Sequence, residues 1–400
     1  MRIIKKILSI SSDRYLEVIQ IIKAAGGNAR LVGGVVRDAV LGISSSDIDI
    51  ATDLKPEEVI DLFKAKQIKV IPTGIKYGTV SVIIGNEIFE ITTLRTDLDC
   101  DGRHATVTYT DSFEEDARRR DFTVNALSYC PINHEIYDYF NGYEDLQNRS
   151  VVFIGDAHAR IQEDYLRILR FFRFSCRFAA EIDKPSLKAC IDHKGKLPAL
   201  SRERIKSETE KILMLENSPK IISIMYEKKI IQEIFPVNNY SEEIHRKIIK
   251  IAKFYQYRFL STIIFALLLK DSEISLNELI DLKFSRNEAK IIINLINIVK
   301  QKKHNLDYTL KDVWLREESF IQYFIFIAAI CGEEEFIYKK YLSLKDKDKN
   351  AMPVSGEDLI KLGFTGKRIG IIIEILRQKW IESEFMLQGN DLIKLVPKNL

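Results

Sequence analysis

The 400-residue sequence predicts an α+β fold: a mixed, largely antiparallel sheet with helices in the N-terminal part, then helices alone. Two observations carry this expectation. Short β-rich runs are confined to the stretch before about Leu146, and from about Asp156 onward apolar residues recur at helical spacing. A third sets the sense of the sheet, because the turns at Gly85 to Glu87 and Ile132 to His134 suit hairpins, which join antiparallel neighbours.

Along the chain, Ile19, Ile22 and Ala25 give a helix its apolar face, and a Gly-Gly turn leads on to the strand ARLVGG. The runs SDIDIAT, GTVSVIIG, EIFEITTL, ATVTYT and EIYDYF follow as strands. RTDLDCDGRHATV, Arg95 to Val107, has few apolar anchors and reads as a long hairpin loop. In the second half, Leu166, Leu169 and Phe172, then Ile205, Ile212 and Leu213, mark successive helices. The polar stretch Ser343 to Leu359 reads as a late hinge or loop.

With 46% hydrophobic and 29% charged residues, the chain can bury a core in each of two or more domains. Sixty basic residues against 57 acidic ones leave a net charge of +3, so any nucleic-acid surface must be a local feature. Five cysteines at irregular spacing suit free thiols in a reducing compartment, and the cytoplasm is expected. The opening MRIIKKILSI has too short an apolar run for a signal peptide, and LSTIIFALLL and FIFIAAIC fall short of the roughly 20 residues of a membrane span.

The chemistry concentrates in LVGGVVRDAVLGISSSDIDIAT, Leu31 to Thr52. A strand that turns through Gly33-Gly34 into a helix presents free backbone N–H groups and a positive helix end, which favours a phosphate. Glycine matters there because a side chain would hold the backbone away. Asp47 and Asp49, two apart on a strand, share a face, and two such anions repel unless a cation or proton lies between them. Hard oxygen ligands of this kind suit Mg²⁺, and a pair of ions can clamp the attacking and leaving oxygens of an in-line phosphoryl displacement. Glu90, on another strand, could stand beside the pair as a support.

Two further segments extend the pattern. ARRRDFTVNAL sets Arg118, Arg119 and Arg120 beside Asp121 and Asn125 where a helix could begin, and arginine forks bind phosphate or ribose oxygens bidentately. EDYLRILRFFRF repeats Asp164, Arg167, Arg170 and Arg173 every three residues, which lines them along one side of a helix. An exposed stripe of that kind is ordinarily a surface salt-bridge ladder.

GGVVRD followed by DIDIAT resembles the first signature of the nucleotidyltransferase superfamily, in the form found in bacterial-type (class II) tRNA nucleotidyltransferases, the CCA-adding enzymes, and their poly(A) polymerase relatives. GIKYGTVSV, EITTLR, RRDFTVNAL, YDYFNGYEDL, RIQEDYLRILRFFRF and SRERIKSETEKIL continue the likeness in order through the first half. The resemblance implies a catalytic head at 1–150, a helical neck with a nucleotide-selecting helix at 151–215, a body at 216–305 and a tRNA-binding tail at 306–400. It implies Asp47 and Asp49 as catalytic Mg²⁺ ligands. Gly33, Gly34, Arg37, Arg120, Asp121, Asn125, Asp164, Arg167, Arg170 and Arg173 are implied at the nucleotide, with Asp38, Glu90 and Glu163 in support.

In such enzymes the EDxxR pattern, here Glu163, Asp164 and Arg167, acts as an amino-acid template. Arg167 can donate to ring acceptors of cytosine or adenine while Asp164 accepts from their exocyclic amine; uracil and guanine would leave the carboxylate unpaired, at a cost of about 1–3 kcal/mol. The segment Arg95 to Val107 stands where the family carries a flexible loop needed for the final A. Val354 to Leu376 resembles the family's tail, and Lys300, Lys302, Lys303, Lys367 and Arg368 are candidates for tRNA backbone contact. The expected activity is addition of C, C and A to the tRNA 3′ end from CTP and ATP, with no membrane and no stable protein partner. Poly(A) polymerase and A-adding-only enzymes are the alternatives within this chemistry, and a non-catalytic RNA-binding module is the alternative outside it.

Overall fold

The β-rich runs of the first half assemble into one mixed sheet. The computed structural model describes residues 1–400 except 7, 11, 46, 101–104, 259, 301–305, 317–319, 346–351 and 398–400. The strands are β1 (Arg2–Lys5), β2 (Ala29–Val32), β3 (Asp49–Thr52), β4 (Lys69–Gly74), β5 (Thr79–Ile84), β6 (Glu87–Thr93), β7 (Arg95–Cys100), β8 (Ala105–Tyr109), β9 (Ser128–Cys130) and β10 (Glu135–Asp138). Eight of them form a sheet in the order β1-β10-β9-β2-β3-β6-β5-β4, and β7 pairs with β8 in a separate ribbon. Among the described residues the single parallel pairing is β3 with β6, which sets Asp49 opposite Glu90. The hairpins β5–β6 and β9–β10 form at the two turns the sequence marks.

Burial follows the strand alternation and the helical stripes. Leu31, Ile50, Val80, Val82, Phe89 and Ile91 are fully enclosed. Helices α1 (Tyr15–Ala24) and α3 (Pro56–Ala65) add Val18, Ile19, Ile22, Val59 and Phe63 to that core, while α2 (Gly34–Val40) packs on β2, α4 (Phe113–Arg118) on β7 and α5 (Gly142–Gln147) on the turn Thr123–Asn125. The chain then turns helical: α6 (Ala157–Glu163), α7 (Leu166–Phe178), α8 (Lys184–His193), α9 (Arg202–Leu213) and α10 (Ser218–Glu227). Phe122 and Phe153, at 4.8 Å between ring centroids, pack with Phe171 and Phe174 of α7 and lock that helix to the segment that follows α4.

Two units are compact, Met1–Phe235 and Pro236–Leu400. The described residues of the second are helical: α11 (Glu242–Phe254), α12 (Ser261–Leu269), α13 (Leu276–Asp281), α14 (Arg286–Lys300), α15 (Leu306–Arg316), α16 (Ile321–Cys331), α17 (Glu334–Lys345), α18 (Gly356–Lys361), α19 (Lys367–Glu382) and α20 (Gly389–Lys394). The two greasiest segments become α12 and α16, buried along nearly their whole length as core helices. Among the described residues no helix is long and apolar enough to cross a membrane.

The structure corrects several expectations. Segment 95–107 is a paired ribbon as far as it is described, and its tip at 101–104 lies outside the described residues. The arginine run ends helix α4 instead of opening one, because Arg119 is its C-cap and a 3₁₀ turn, Thr123–Asn125, follows. Asp164 leaves the helical stripe: α6 stops at Glu163, Asp164 is extended (φ −155°, ψ 107°), and α7 begins at Leu166. Its carboxylate accepts the Leu166 N–H at 3.0 Å, the local bond by which Asp favours caps over helix interiors. Asp47 precedes β3, whose first residue is Asp49, so strand alternation is not what relates the two acids.

Candidate active site

Gly33 follows strand β2 as the N-cap of α2, with φ +70° and ψ −126°, a conformation that favours glycine. A Cβ there would lie 2.8 Å from Arg120 Nη1, so the bare backbone also makes room for that guanidinium. Above this turn opens a cavity of about 470 Å³ lined by Gly33, Gly34, Arg37, Asp49, Arg119, Arg120, Asp121, Asn125, Asp164, Leu166, Arg167, Arg170, Phe174 and Arg204. Ten of these are residues the sequence singles out, drawn from segments more than 100 positions apart.

A buried polar chain forms its floor. Arg37 is only 5% exposed, donates to Asn125 Oδ1 at 2.6 Å and pairs with Asp38 at 2.8 Å. Asn125 Nδ2 donates to Asp121 Oδ1 at 2.9 Å, and Arg170 Nε donates to Asp121 Oδ2 at 2.6 Å. Burial resists ionisation of Asp121, yet Arg170, Asn125 and the Phe122 N–H together hold its carboxyl below the ordinary value. Burial likewise opposes the charge of Arg170, and Asp121 overcomes that and raises its pKa. Each group is thus kept charged by its neighbour.

The two base-reading candidates are each held by a countercharge. Glu163 accepts from Arg167 Nη1 at 2.6 Å and also pairs with Arg160, which donates in turn to the backbone carbonyls of Arg119 and Arg120. Asp164 Oδ2 accepts from Arg204 Nη2 at 2.6 Å.

Asp47 and Asp49 line a second cavity, of about 600 Å³, with Asn86, Glu87 and Glu90. Asp49 lines both cavities. Its carboxyl is pushed above the ordinary value by burial first, then by Glu90 and Asp47, with Arg120 pulling the other way. Excess negative charge around a half-enclosed carboxylate is what a divalent cation relieves. Among the described residues no three ligating side chains are grouped to hold a metal alone. Two carboxylates with the rest of the shell left to phosphates and water is an arrangement that fits Mg²⁺.

Arg173, Asp38, Glu90 and Glu163 fall outside the lining of the first cavity. Arg173 pairs with Glu208 at 2.8 Å, and Asp38 bridges Arg37 to Arg177. Arg118 points to solvent and pairs with Glu114 at 2.9 Å. Arg119, named in the arginine run but not among the residues implied at the nucleotide, lines the cavity, and Leu166, Phe174 and Arg204 were missed as lining residues. For Arg204 a signal existed, since Arg204 and Glu208 stand four apart in SRERIKSETEKIL, on one face of α9. Lys300 donates to the Ser272 carbonyl at 3.3 Å, Lys367 and Arg368 are exposed at the start of α19, and Lys302 and Lys303 lie outside the described residues.

Comparison with known proteins places this arrangement. The family described as "Poly A polymerase head domain" matches residues 29–152, and "Probable RNA and SrmB- binding site of polymerase A" matches 181–240. The chain is 33% identical over 415 residues to CCA tRNA nucleotidyltransferase 1, mitochondrial, of Danio rerio, covering 99% of this chain and 93% of that protein. The chain belongs to the CCA-adding enzyme family. To the CCA-adding enzyme of Lactobacillus helveticus (strain DPC 4571) it is 32% identical over 393 residues, covering 92% and 93% of the two chains. The CCA-adding enzyme of Bacillus stearothermophilus, solved in complex with CTP, matches with a TM-score of 0.70 at 26% identity, covering 93% of each chain. The CCA-adding enzyme family, as a nucleotidyltransferase family, generally works with divalent metal ions.

Proposed function

We propose that this chain adds C, C and A to the 3′ end of tRNA, using CTP and ATP and releasing pyrophosphate without a nucleic-acid template. The observation that carries this reading is one cavity in which the Gly33-Gly34 turn and Asp49 meet Asp164 and Arg167. Phosphate-binding, metal-binding and base-facing groups thus share a single enclosure of nucleotide size.

Asp47 and Asp49 would hold Mg²⁺, which supplies charge neutralisation at the α-phosphate and lowers the pKa of the attacking 3′-hydroxyl. The Gly33 turn and Arg120 take the triphosphate, and the Arg37–Asn125–Asp121–Arg170 chain keeps the surrounding walls rigid. Asp164 and Arg167 face the base and admit the amine-bearing rings of cytosine and adenine. The tRNA 3′-oxygen attacks the α-phosphorus, the bond to the β-phosphate bridging oxygen breaks, and pyrophosphate departs.

The change from sheet to helices near residue 156 supports a head at 1–150; the neck, body and tail are proposed at 151–215, 216–305 and 306–400, and the one division into compact units falls at Phe235. Free Cys130, Cys176, Cys190 and Cys331 support a reducing compartment, for which we take the cytoplasm. The deciding assay supplies tRNA transcripts ending at the discriminator base, CC or CCA with single nucleotides. Two C residues and one A, then arrest, are expected. Growth of a long A tail on any RNA would make the chain a poly(A) polymerase, and addition to CC-ended tRNA alone would make it an A-adding enzyme.

A further inference from the structure

Asp164 sits in a gap between two helices, and its extended backbone gives its side chain no helical restraint. What orients the carboxylate is a pair of donors on opposite oxygens: the Leu166 N–H on Oδ1 at 3.0 Å and Arg204 Nη2 on Oδ2 at 2.6 Å. A carboxylate offers about four lone-pair directions. Two are thereby filled, and the others remain for the cavity that Asp164 and Arg204 both line.

Arg204 comes from the first turn of α9, 40 residues further along. That helix is fastened to α7 independently by Glu208, which pairs with Arg173 at 2.8 Å. One α7–α9 contact is thus independent of Arg204. We propose that Arg204 is a positioning residue for nucleotide choice: it holds Asp164 in the one orientation that accepts an exocyclic amine and refuses a carbonyl oxygen. This rests on the base-reading role proposed for Asp164 above. Released from Arg204, the carboxylate swings about its side-chain torsions and no longer presents a fixed acceptor, so the energetic difference between an amine and a carbonyl at that edge shrinks.

The test measures kcat and KM for CTP, ATP, UTP and GTP separately on tRNA transcripts ending at the discriminator base and at CC. Arg204→Ala should lower the ratio of kcat/KM for CTP over UTP by about tenfold or more, which corresponds to about 1.4 kcal/mol. Arg204→Lys should restore part of the ratio, and also serves if the alanine variant does not fold. Glu208→Gln, which breaks the other α7–α9 pair, should leave the ratio unchanged. Within an Asp164→Ala background, Arg204→Ala should remove no further selectivity, because the two act as one unit. Wild-type ratios in both Arg204 variants, or an equal loss of rate for all four nucleotides matched by Glu208→Gln, would overturn the proposal. Full selectivity in Asp164→Ala alone would instead overturn the base-reading role and this inference with it.

Discussion

Arg170 Nε donates to Asp121 Oδ2 at 2.6 Å and thereby ties the middle of α7 to the turn after α4. Asp121 also takes the Asn125 amide and the Phe122 N–H, so one buried carboxylate collects three donors. Asp121→Ala should cost about 3 kcal/mol of stability, since it leaves those donors, one of them cationic, without an acceptor. Denaturant titration checks this, and a loss under 1 kcal/mol would mean that water replaces the carboxylate freely.

Asp49→Asn separates the catalytic role proposed for that residue from its structural cost. Its folded pKa is raised, so its contribution to stability is present below the unfolded value and disappears as pH rises through the folded one. At neutral pH without metal, the variant should therefore melt higher than the wild type while losing nucleotide incorporation. Asp47→Ala should also abolish incorporation with the fold intact. Retained activity in either variant contradicts the assignment.

A divalent ion held at Asp47 and Asp49, as proposed, would compete with the proton that burial and neighbouring acids hold on Asp49 more tightly than on an ordinary carboxyl. Mn²⁺ affinity, followed by its paramagnetic signal, should fall as pH drops and should begin to fall above the ordinary carboxylate range. Affinity that stays flat until well below that range would place the ion elsewhere.

Gly33→Ala forces a side chain into a left-handed backbone and onto Arg120 Nη1. The strain should cost about 1–3 kcal/mol. Because Arg120 has to withdraw, KM for both CTP and ATP should rise together. Steady-state kinetics on each nucleotide distinguish this from a general loss of folded protein, which would lower only the apparent kcat.

Arg167→Ala should lose discrimination of C and A against U and G before it loses tRNA affinity. Filter binding and single-nucleotide incorporation measure the two separately. Unchanged nucleotide choice would remove Arg167 from base reading.

Local patterns made much of this legible. Gly33, Asp49 and Arg120 belong to short motifs whose chemistry does not depend on distant residues, and the helical second half follows from apolar spacing. Other features depend on partners that spacing cannot reveal. The stripe Asp164, Arg167, Arg170, Arg173 reads as one helix because its period is right, yet Asp164 is the extended C-cap of α6, its carboxylate taken by the Leu166 N–H, and breaks the run. Arg204 and Asp164 meet only through the packing of α7 on α9. Strand β4 hid behind Pro72, which a strand tolerates at a sheet edge, where the structure places it. Strand β9 has three residues, too few to show an alternation.

The strand order β1-β10-β9-β2-β3-β6-β5-β4 bears on how the protein is born. Strand β3, which carries Asp49, cannot gain its neighbour β6 until residue 93 has been synthesised, and β2 waits for β9 at residues 128–130. On a ribosome, the acidic strand is thus made early and stays open along one edge until β6 follows it. An arrest of translation shortly after β3 would leave its apolar residues Ile50 and Ala51 exposed to chaperones or to aggregation, whereas an arrest beyond β10 would release a chain holding all eight strands of the sheet.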